Sequence, residues 1–502
     1  MSETDSYRQT LRSTSIIGGA SIARVLIGLL RTKIAAVLLG PSGVGLIGIL
    51  QSLLETASTV AALGSGTMGT RQISEASGRS DPMVLAAARR ALLLGTLGLA
   101  LVGAAAFFLL RNTFAVHIFR DAALSVPIGW LAIGVAMMVV SSAQTAVLTG
   151  MRRIGDVARL NVLSMALSTV LGISALLLWD ANGIVAFVIS LPLSALLLGF
   201  FYVMRLQREA APPIPHSLLI TQWRMLMRSG AAFMIASMAV PLGQLVVRTY
   251  VKDSLGTDAL GQFQAAWLIS MTYIGFVLTA MGTDYYPRLT AAMHDHVIVN
   301  RMVNAQSEIA LMLSAPVFFI ATGFAPWIIE ALYTSDFAGA TSVLRWQILG
   351  DVLKVASWPL GFIILAAGDA MTFMLCESAF VIVYVALTRF MLPESGIVAT
   401  GIAFFLMYGL YLPVVYWLAR RRTEFQWHDK VVWLLFPVLI ATAGIALLSE
   451  WSERMSALAG TIAALVSFIY AADRLETTAN LALLPKPLLA ILRGLASTWK
   501  KK

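Results

Sequence analysis

Along most of the 502 residues, apolar side chains run nearly unbroken for twenty or more positions, and polar residues gather in short clusters between the runs. A bilayer core about 30 Å thick is crossed by roughly twenty apolar residues of helix. The pattern predicts fourteen such spans, at 14–38, 44–68, 84–110, 125–149, 157–178, 183–204, 226–250, 259–283, 306–329, 341–366, 371–391, 396–419, 431–448 and 456–472. No stretch between them is long enough for a soluble domain. The first span is too long for a signal-peptide core and lacks a small-residue cleavage site after it, so it is expected to stay in the mature chain.

The runs repeat. Gly40, Gly45 and Gly66 recur as Gly256, Gly261 and Gly282, and Trp130 and Gly134 recur as Trp346 and Gly350, all at one separation of 216 residues. That period holds six spans, an even number, so both copies enter the membrane in the same direction and are related by an axis along the membrane normal. The expected fold is an all-α polytopic membrane protein: two parallel-repeat six-helix bundles around a central cavity, plus two extra C-terminal helices. The expected divisions are 1–215 (N lobe, helices 1–6), 216–422 (C lobe, helices 7–12) and 423–502 (helices 13–14 and a basic tail).

Composition agrees: 58% of residues are hydrophobic and only 12% charged, with a mean hydropathy of +0.81, about half the charge of a soluble domain. The net charge of +10 changes the picture only through its location. With the N-terminus placed inside, the inner segments hold most of the Lys and Arg, including Arg8, Arg12, Arg71, Arg79, Arg89, Arg90, Arg152, Arg153, Arg205, Arg208, Arg420 to Arg422 and Lys500 to Lys502. This is the positive-inside bias, with both termini cytoplasmic, and no nucleic-acid partner is expected. The single cysteine, Cys376, excludes an intrachain disulfide and reads as a buried thiol.

Ionisable residues inside spans are costly and point to a bundle interior or a watery cavity. Arg24 lies near the middle of the first span, with Gly28 and Arg31 on the same helical face. Its structural alternative is pairing with a carboxylate such as Glu55. Arg31, Lys33 and Arg248 lie toward the outer ends of their spans, where they can snorkel, yet that is the side the positive-inside rule disfavours. Arg31 and Arg248 also hold similar places in the two repeats. Converging on a central cavity, they suit an anionic headgroup, because arginine grips phosphate through a planar fork of donors. Gln51 and Gln244 could contact a sugar or bond neighbouring helices. Glu55, Asp351 and Glu377 form a candidate proton or sodium relay, while Asp351 and Lys354, at i and i+3, can instead neutralise each other. Prolines at 127, 192, 241, 316, 359 and 413 are candidate bends.

Two patterns are decoys. Gly43-Val44-Gly45-Leu46-Ile47-Gly48 matches a dinucleotide fingerprint but joins two membrane spans, without the strand and distant acid that motif needs. His294 and His296 have no nearby cysteine, so no metal is expected. No serine, histidine and aspartate set shares a depth, no nucleotide-binding loop is present, and outer loops are short. Neither catalysis nor a cofactor is expected.

Leu344-Arg345-Trp346-Gln347-Ile348-Leu349-Gly350-Asp351-Val352-Leu353-Lys354-Val355, with Gly261 to Ser270 and Gly40 to Leu46, resembles the lipid III flippase and O-antigen translocase family of the multidrug/oligosaccharidyl-lipid/polysaccharide exporter superfamily, over about residues 10 to 420. The resemblance implies movement of an undecaprenyl-pyrophosphate-linked oligosaccharide from the cytoplasmic to the periplasmic leaflet of a bacterial inner membrane, for surface polysaccharide synthesis. It implies headgroup-binding cations at Arg24 and Arg31. Membrane lipids are expected partners, and a polysaccharide polymerase complex is a candidate one. The rivals are an ion-coupled drug or cation antiporter of the same superfamily, a polysaccharide polymerase or ligase, and a membrane scaffold. Lipid II flippases of the superfamily also have fourteen helices, so the extra C-terminal pair leaves the glycan open.

Overall fold

The computed structural model describes residues 3–78, 81–206 and 214–479; Arg79, Arg208 and the basic tail lie outside them. Every regular element among the described residues is helical. Helix is the form that satisfies all backbone groups of a lone segment in lipid. Among the described residues, nine helical stretches are long and apolar enough to cross a membrane. Three of these, Gly18–Ala62 with 45 residues, Ile154–Met204 with 51 and Ala370–Thr423 with 54, are each long enough for two passes. They break internally at Gly40, at Asp180–Gly183 and at Gly396–Val398. The chain is a multi-pass all-α membrane protein.

Two compact units divide it. The first holds Met1–Gln264 with Leu332–Asp336 and Glu377–Arg389; the second holds Ala265–Ala331, Phe337–Cys376 and Phe390–Lys502.

In the first unit, α1 (Glu3–Ala62) runs through the loop that the hydrophobic pattern places between the first two spans. Its limbs meet at Gly40, whose φ of 62° lies in the left-handed region open to glycine. Then follow α2 (Ser65–Gly78), α3 (Pro82–Leu109), the short α4 (Arg111–His117), α5 (Ser125–Gly150), α6 (Ile154–Trp179), α7 (Ile184–Met204) and α8 (His216–Ser237). Next comes α9 (Ala239–Ala292), which belongs to this unit as far as Gln264 and to the second beyond it, and which breaks at Gly256 with φ 87°. Gly40 and Gly256 are counterparts across the 216-residue repeat, so the period carries a backbone event and not merely a composition. The expected seventh span is itself interrupted: α8 and the start of α9 meet at 43°. The sharp breaks at Gly40 and Gly256 therefore come from glycines rather than from the prolines singled out by sequence.

The limb of α1 beyond Gly40 and the limb of α9 beyond Gly256 cross almost in backbone contact. A Cβ on Gly45 would lie 2.5 Å from the Thr257 carbonyl oxygen and 2.8 Å from the Gly261 nitrogen, and one on Gly261 would lie 2.0 Å from the Pro41 oxygen. Small residues permit such approaches between membrane helices. At the same place Ser42 bonds Thr257 (3.1 Å) and donates to the Asp258 carboxylate, its own counterpart in the repeat.

The second unit continues with α10 (His296–Gly323), α11 (Ala325–Leu332), α12 (Ala340–Ala366), the ends of α13 (Ala370–Ser395), whose middle, Glu377–Arg389, belongs to the first unit, α14 (Ala399–Thr423), α15 (Asp429–Trp451) and α16 (Glu453–Ala479). Helix α12 is its most enclosed member, packed on α14 where a Cβ at Gly350 would meet Phe404 at 2.5 Å. The α15–α16 hairpin is joined to this unit at several levels. Gly323 and Gly460 let α10 and α16 touch. Arg345 forks onto Glu453 and also donates to the Thr322 carbonyl. Arg474 donates to Glu308 at 2.9 Å. The linker into the hairpin is held by Asn304, which donates to the Gln426 carbonyl (3.0 Å) and accepts from the His428 N–H (2.7 Å).

Between α12 and α13, Asp369 caps α13. The Thr372 N–H and hydroxyl donate to its carboxylate at 3.0 and 2.7 Å, and Arg422 pairs with it. These donors hold the Asp369 carboxyl down at about 2. A folded pKa below the unfolded one stabilises fully above the unfolded value near 4 and is lost as pH falls through the folded one. Thermal unfolding in detergent tests this: the melting-temperature gap between wild type and Asp369→Asn should be constant from pH 7 to 5 and close below pH 4. A gap that closes near pH 6 would assign the effect to another group.

Candidate functional site

A cation inside the bilayer must find oxygen acceptors or water, and Arg24, Arg31 and Arg248 of the first unit meet that demand in three ways. Arg31 is buried, with Nη1 donating to the Ser168 hydroxyl (2.7 Å) and Nη2 to the Phe187 carbonyl (2.6 Å) and the Ser190 hydroxyl (3.1 Å). Its guanidinium also stacks 4.1 Å from the Phe187 ring. It therefore does not snorkel: α6 and α7 engage both of its terminal nitrogens, and these contacts make it a strut between helices.

Arg24 is exposed, and its guanidinium makes no hydrogen bond or ion pair among the described residues. At 100° per residue, Arg24, Gly28 and Ala35 share one face of α1, and Ile22, Leu26, Leu30 and Val37 lie on the other. The latter four are all exposed apolar side chains. The first face packs inward: Ala35 is buried, and a Cβ on Gly28 would touch the Met165 methyl of α6 at 3.8 Å. Arg24 is thus accessible on the side turned away from the apolar stripe, and Glu55 is not its ion-pair partner.

Arg248 on α9 is buried but held only by neutral groups. Its Nε donates to Gln264 Oε1 at 3.0 Å, and its Nη1 to Gln244 Oε1 at 2.7 Å and to the Gln244 carbonyl at 3.3 Å. Nη2 makes no hydrogen bond among the described residues. The carboxylate that acts on this guanidinium is Glu55, which interacts electrostatically without an ion-pair contact. Glu55 itself is exposed on α1. Gln51, Glu55 and Thr59 fall on successive turns of one face of α1, making a polar stripe beside it.

Lys33 is tied to the Tyr333 carbonyl. Nearby in the chain from Arg248, Lys252 donates to the Phe119 carbonyl (2.6 Å), and Asp253 pairs with Arg120 at 3.0 Å.

In the second unit, Asp351 is completely buried on α12. Its Oδ2 accepts from the Ser270 hydroxyl (2.6 Å) and from Tyr273 (2.5 Å), while Oδ1 has no hydrogen-bond partner. One turn earlier, Gln347 is equally buried, and both its amide atoms lack partners. Lys354 acts on Asp351 electrostatically, but its ammonium lies 3.6 Å from the Met271 sulfur and faces the rings of Phe404 and Tyr408. The self-neutralising pair is therefore only part of the account, since α9 supplies the hydrogen bonds. Glu377 is half-buried on α13 and belongs to the first unit with Glu55, whereas Asp351 belongs to the second.

Several participants escaped the sequence reading: Gln264, Ser168, Ser190, Ser270 and Tyr273. The available signal was weak. Each is a polar residue within an apolar run, and Gln264 stands 216 positions after Gly48, where the repeat loses a glycine.

The contrast between the arginines is measurable. Replacing Arg31 with Met removes three charge-assisted hydrogen bonds to α6 and α7, though Ser168, Ser190 and the Phe187 carbonyl keep other partners, and should cost about 1–3 kcal/mol, whereas Arg24→Ala should stay within about 0.5 kcal/mol of wild type. Thermal unfolding in detergent checks both; equal effects of the two substitutions would contradict the assignment.

Comparison with known proteins gives the lineage. A family model described as "Polysaccharide biosynthesis protein" matches residues 10–293. The lipid III flippases of Escherichia coli (strain K12) and Shigella flexneri are each 24% identical over 80% of this chain and 97% of theirs. Among solved structures, the lipid II flippase MurJ in an inward closed conformation superposes with a TM-score of 0.69 at 13% identity, covering 91% of this chain and 99% of that one. An inward-facing multidrug resistance MATE transporter of the MOP superfamily also gives 0.69, at 15% identity, covering 82% and 98%. The structural likenesses establish a shared helical-bundle fold, and with the family model spanning more than half its length, the chain belongs to the polysaccharide biosynthesis protein family.

Proposed function

We propose that this protein is a flippase for a lipid-linked oligosaccharide, an undecaprenyl-pyrophosphate-linked one, moved from the cytoplasmic to the periplasmic leaflet of a bacterial inner membrane by alternating access. The observation that carries the reading is Arg248: a guanidinium kept charged by neutral amides, with an uncommitted donor edge, near an open carboxylate rather than sealed by it. Accessible Arg24 is the second cation. Two guanidiniums suit a diphosphate because each offers a planar fork of donors. The polar face of Gln51, Glu55 and Thr59 gives the glycan a hydrated path, and the polyprenyl chain stays in lipid. Arg31 and Lys33 serve the framework around this site. Both termini face the cytoplasm, the halves 1–215 and 216–422 rock against each other, and the hairpin moves with the second. A polysaccharide polymerase would receive the product.

Fully buried Asp351, with one oxygen unpartnered beside an unpartnered Gln347, favours ion coupling as the drive. The same residues support the second reading, a drug or cation antiporter, given the likeness to the multidrug transporter fold. Depletion separates the two. Loss of a flippase should make a lipid-linked saccharide accumulate in the inner leaflet, and Arg24→Ala or Arg248→Ala should fail to relieve the accumulation at normal expression. Depletion that leaves lipid-linked saccharides unchanged while raising drug sensitivity would favour the antiporter.

A further inference from the structure

The two repeats differ where they touch. Gly48 and Gln264 are counterparts at the 216-residue period, and the side chain of one fills the space the other leaves empty. A Cβ on Gly48 would lie 2.6 Å from Gln264 Cδ and 2.7 Å from its Oε1. Thus placed and buried, Gln264 accepts the hydrogen bond from Arg248 Nε.

An amide is suited to this place for an electrostatic reason. A buried guanidinium must have its donors satisfied. A carboxylate could do that, but it would also cancel the charge. An amide oxygen satisfies the donor and leaves the full positive charge to attract an incoming anion. Gln244 does the same for Nη1 at 2.7 Å. The near-equivalent arginine of the first repeat, Arg31, meets two serine hydroxyls and a carbonyl that use both of its terminal nitrogens.

We infer that Gln264 is a positioning residue, lodged in the gap at Gly48, that fixes Arg248 in a charged and oriented state, so that of the two repeat-related arginines, Arg31 and Arg248, only Arg248 serves the anion site. This rests on the flippase reading for its ligand class, a polyprenyl diphosphate.

The test uses the full-length protein in nanodiscs with farnesyl diphosphate as probe, measuring the dissociation constant and thermal midpoint together. Gln264→Leu and Gly48→Ala, the first removing the acceptor and the second displacing it, should each weaken binding at least tenfold. Gln264→Glu keeps an acceptor, so its midpoint should match wild type or exceed it, yet diphosphate binding should fall at least tenfold because the charge is cancelled. A role limited to packing or hydrogen bonding predicts that Gln264→Glu binds normally, and that result overturns the inference. Normal binding by both Gln264→Leu and Gly48→Ala overturns it too. Arg248→Ala separates the levels: if it binds the probe as wild type does, the anion site itself is wrong; if it alone loses binding, the site stands and the positioning role falls.

Discussion

Every feature of the candidate site follows from the cost of a guanidinium held away from bulk water. Such a group persists only where oxygen atoms meet its donors, and which oxygens those are decides what the arginine can do. Two hydroxyls and a carbonyl from α6 and α7 use Arg31 to join helices. Two glutamines hold Arg248 without neutralising it. Arg24 stands on an accessible face turned away from the exposed apolar stripe of α1. One residue type thereby serves as strut, as a buried charge held by neutral amides and as open contact within a single unit.

The same economy governs the backbone. Gly40 and Gly256 turn two long helices at corresponding points, and Gly45 and Gly261 bring the following limbs into near contact. The duplicated plan thus meets itself at its own equivalent residues, where Ser42 reaches Asp258. Departures from symmetry are then informative, because a side chain present in one copy occupies the room missing from the other, as Gln264 does against Gly48. In the second unit, ion pairs from Arg345 and Arg474, and the crossing at Gly323 and Gly460, anchor the C-terminal hairpin to α10 and α12. That hairpin is therefore part of the body of its unit.

Much of this plan was legible in the chain. Apolar runs marked the membrane-crossing segments, because lipid demands about twenty apolar residues whatever the tertiary context, whereas the glycine period was legible as a repeat but not as the backbone breaks at Gly40 and Gly256. The fate of individual charges was not. Arg31 and Arg248 have similar local surroundings, but Ser168 and Ser190, which decide the role of Arg31, lie 137 and 159 positions away. That Glu55 acts on Arg248 at a distance rather than pairing with Arg24 likewise depends on which helices meet. Ser270 and Tyr273 find Asp351 across 81 and 78 residues, so the spacing of Asp351 and Lys354 on one helix described only part of their environment. The break in the seventh span was signalled only by Pro241, one of the candidate bends, which lies just past the junction of α8 and α9; hydropathy averages over such a bend.

The central claim is that oriented, uncancelled arginine charge carries a diphosphate-linked glycolipid across the bilayer. Reconstituting the protein in proteoliposomes with a fluorescent polyprenyl-diphosphate oligosaccharide, and following its loss of protection from a membrane-impermeant quencher, measures this directly. The account predicts rapid transbilayer movement with wild type and near-background movement with Arg248→Ala. Equal rates for the two proteins, or none above protein-free vesicles for wild type under an imposed ion gradient and membrane potential, would contradict it.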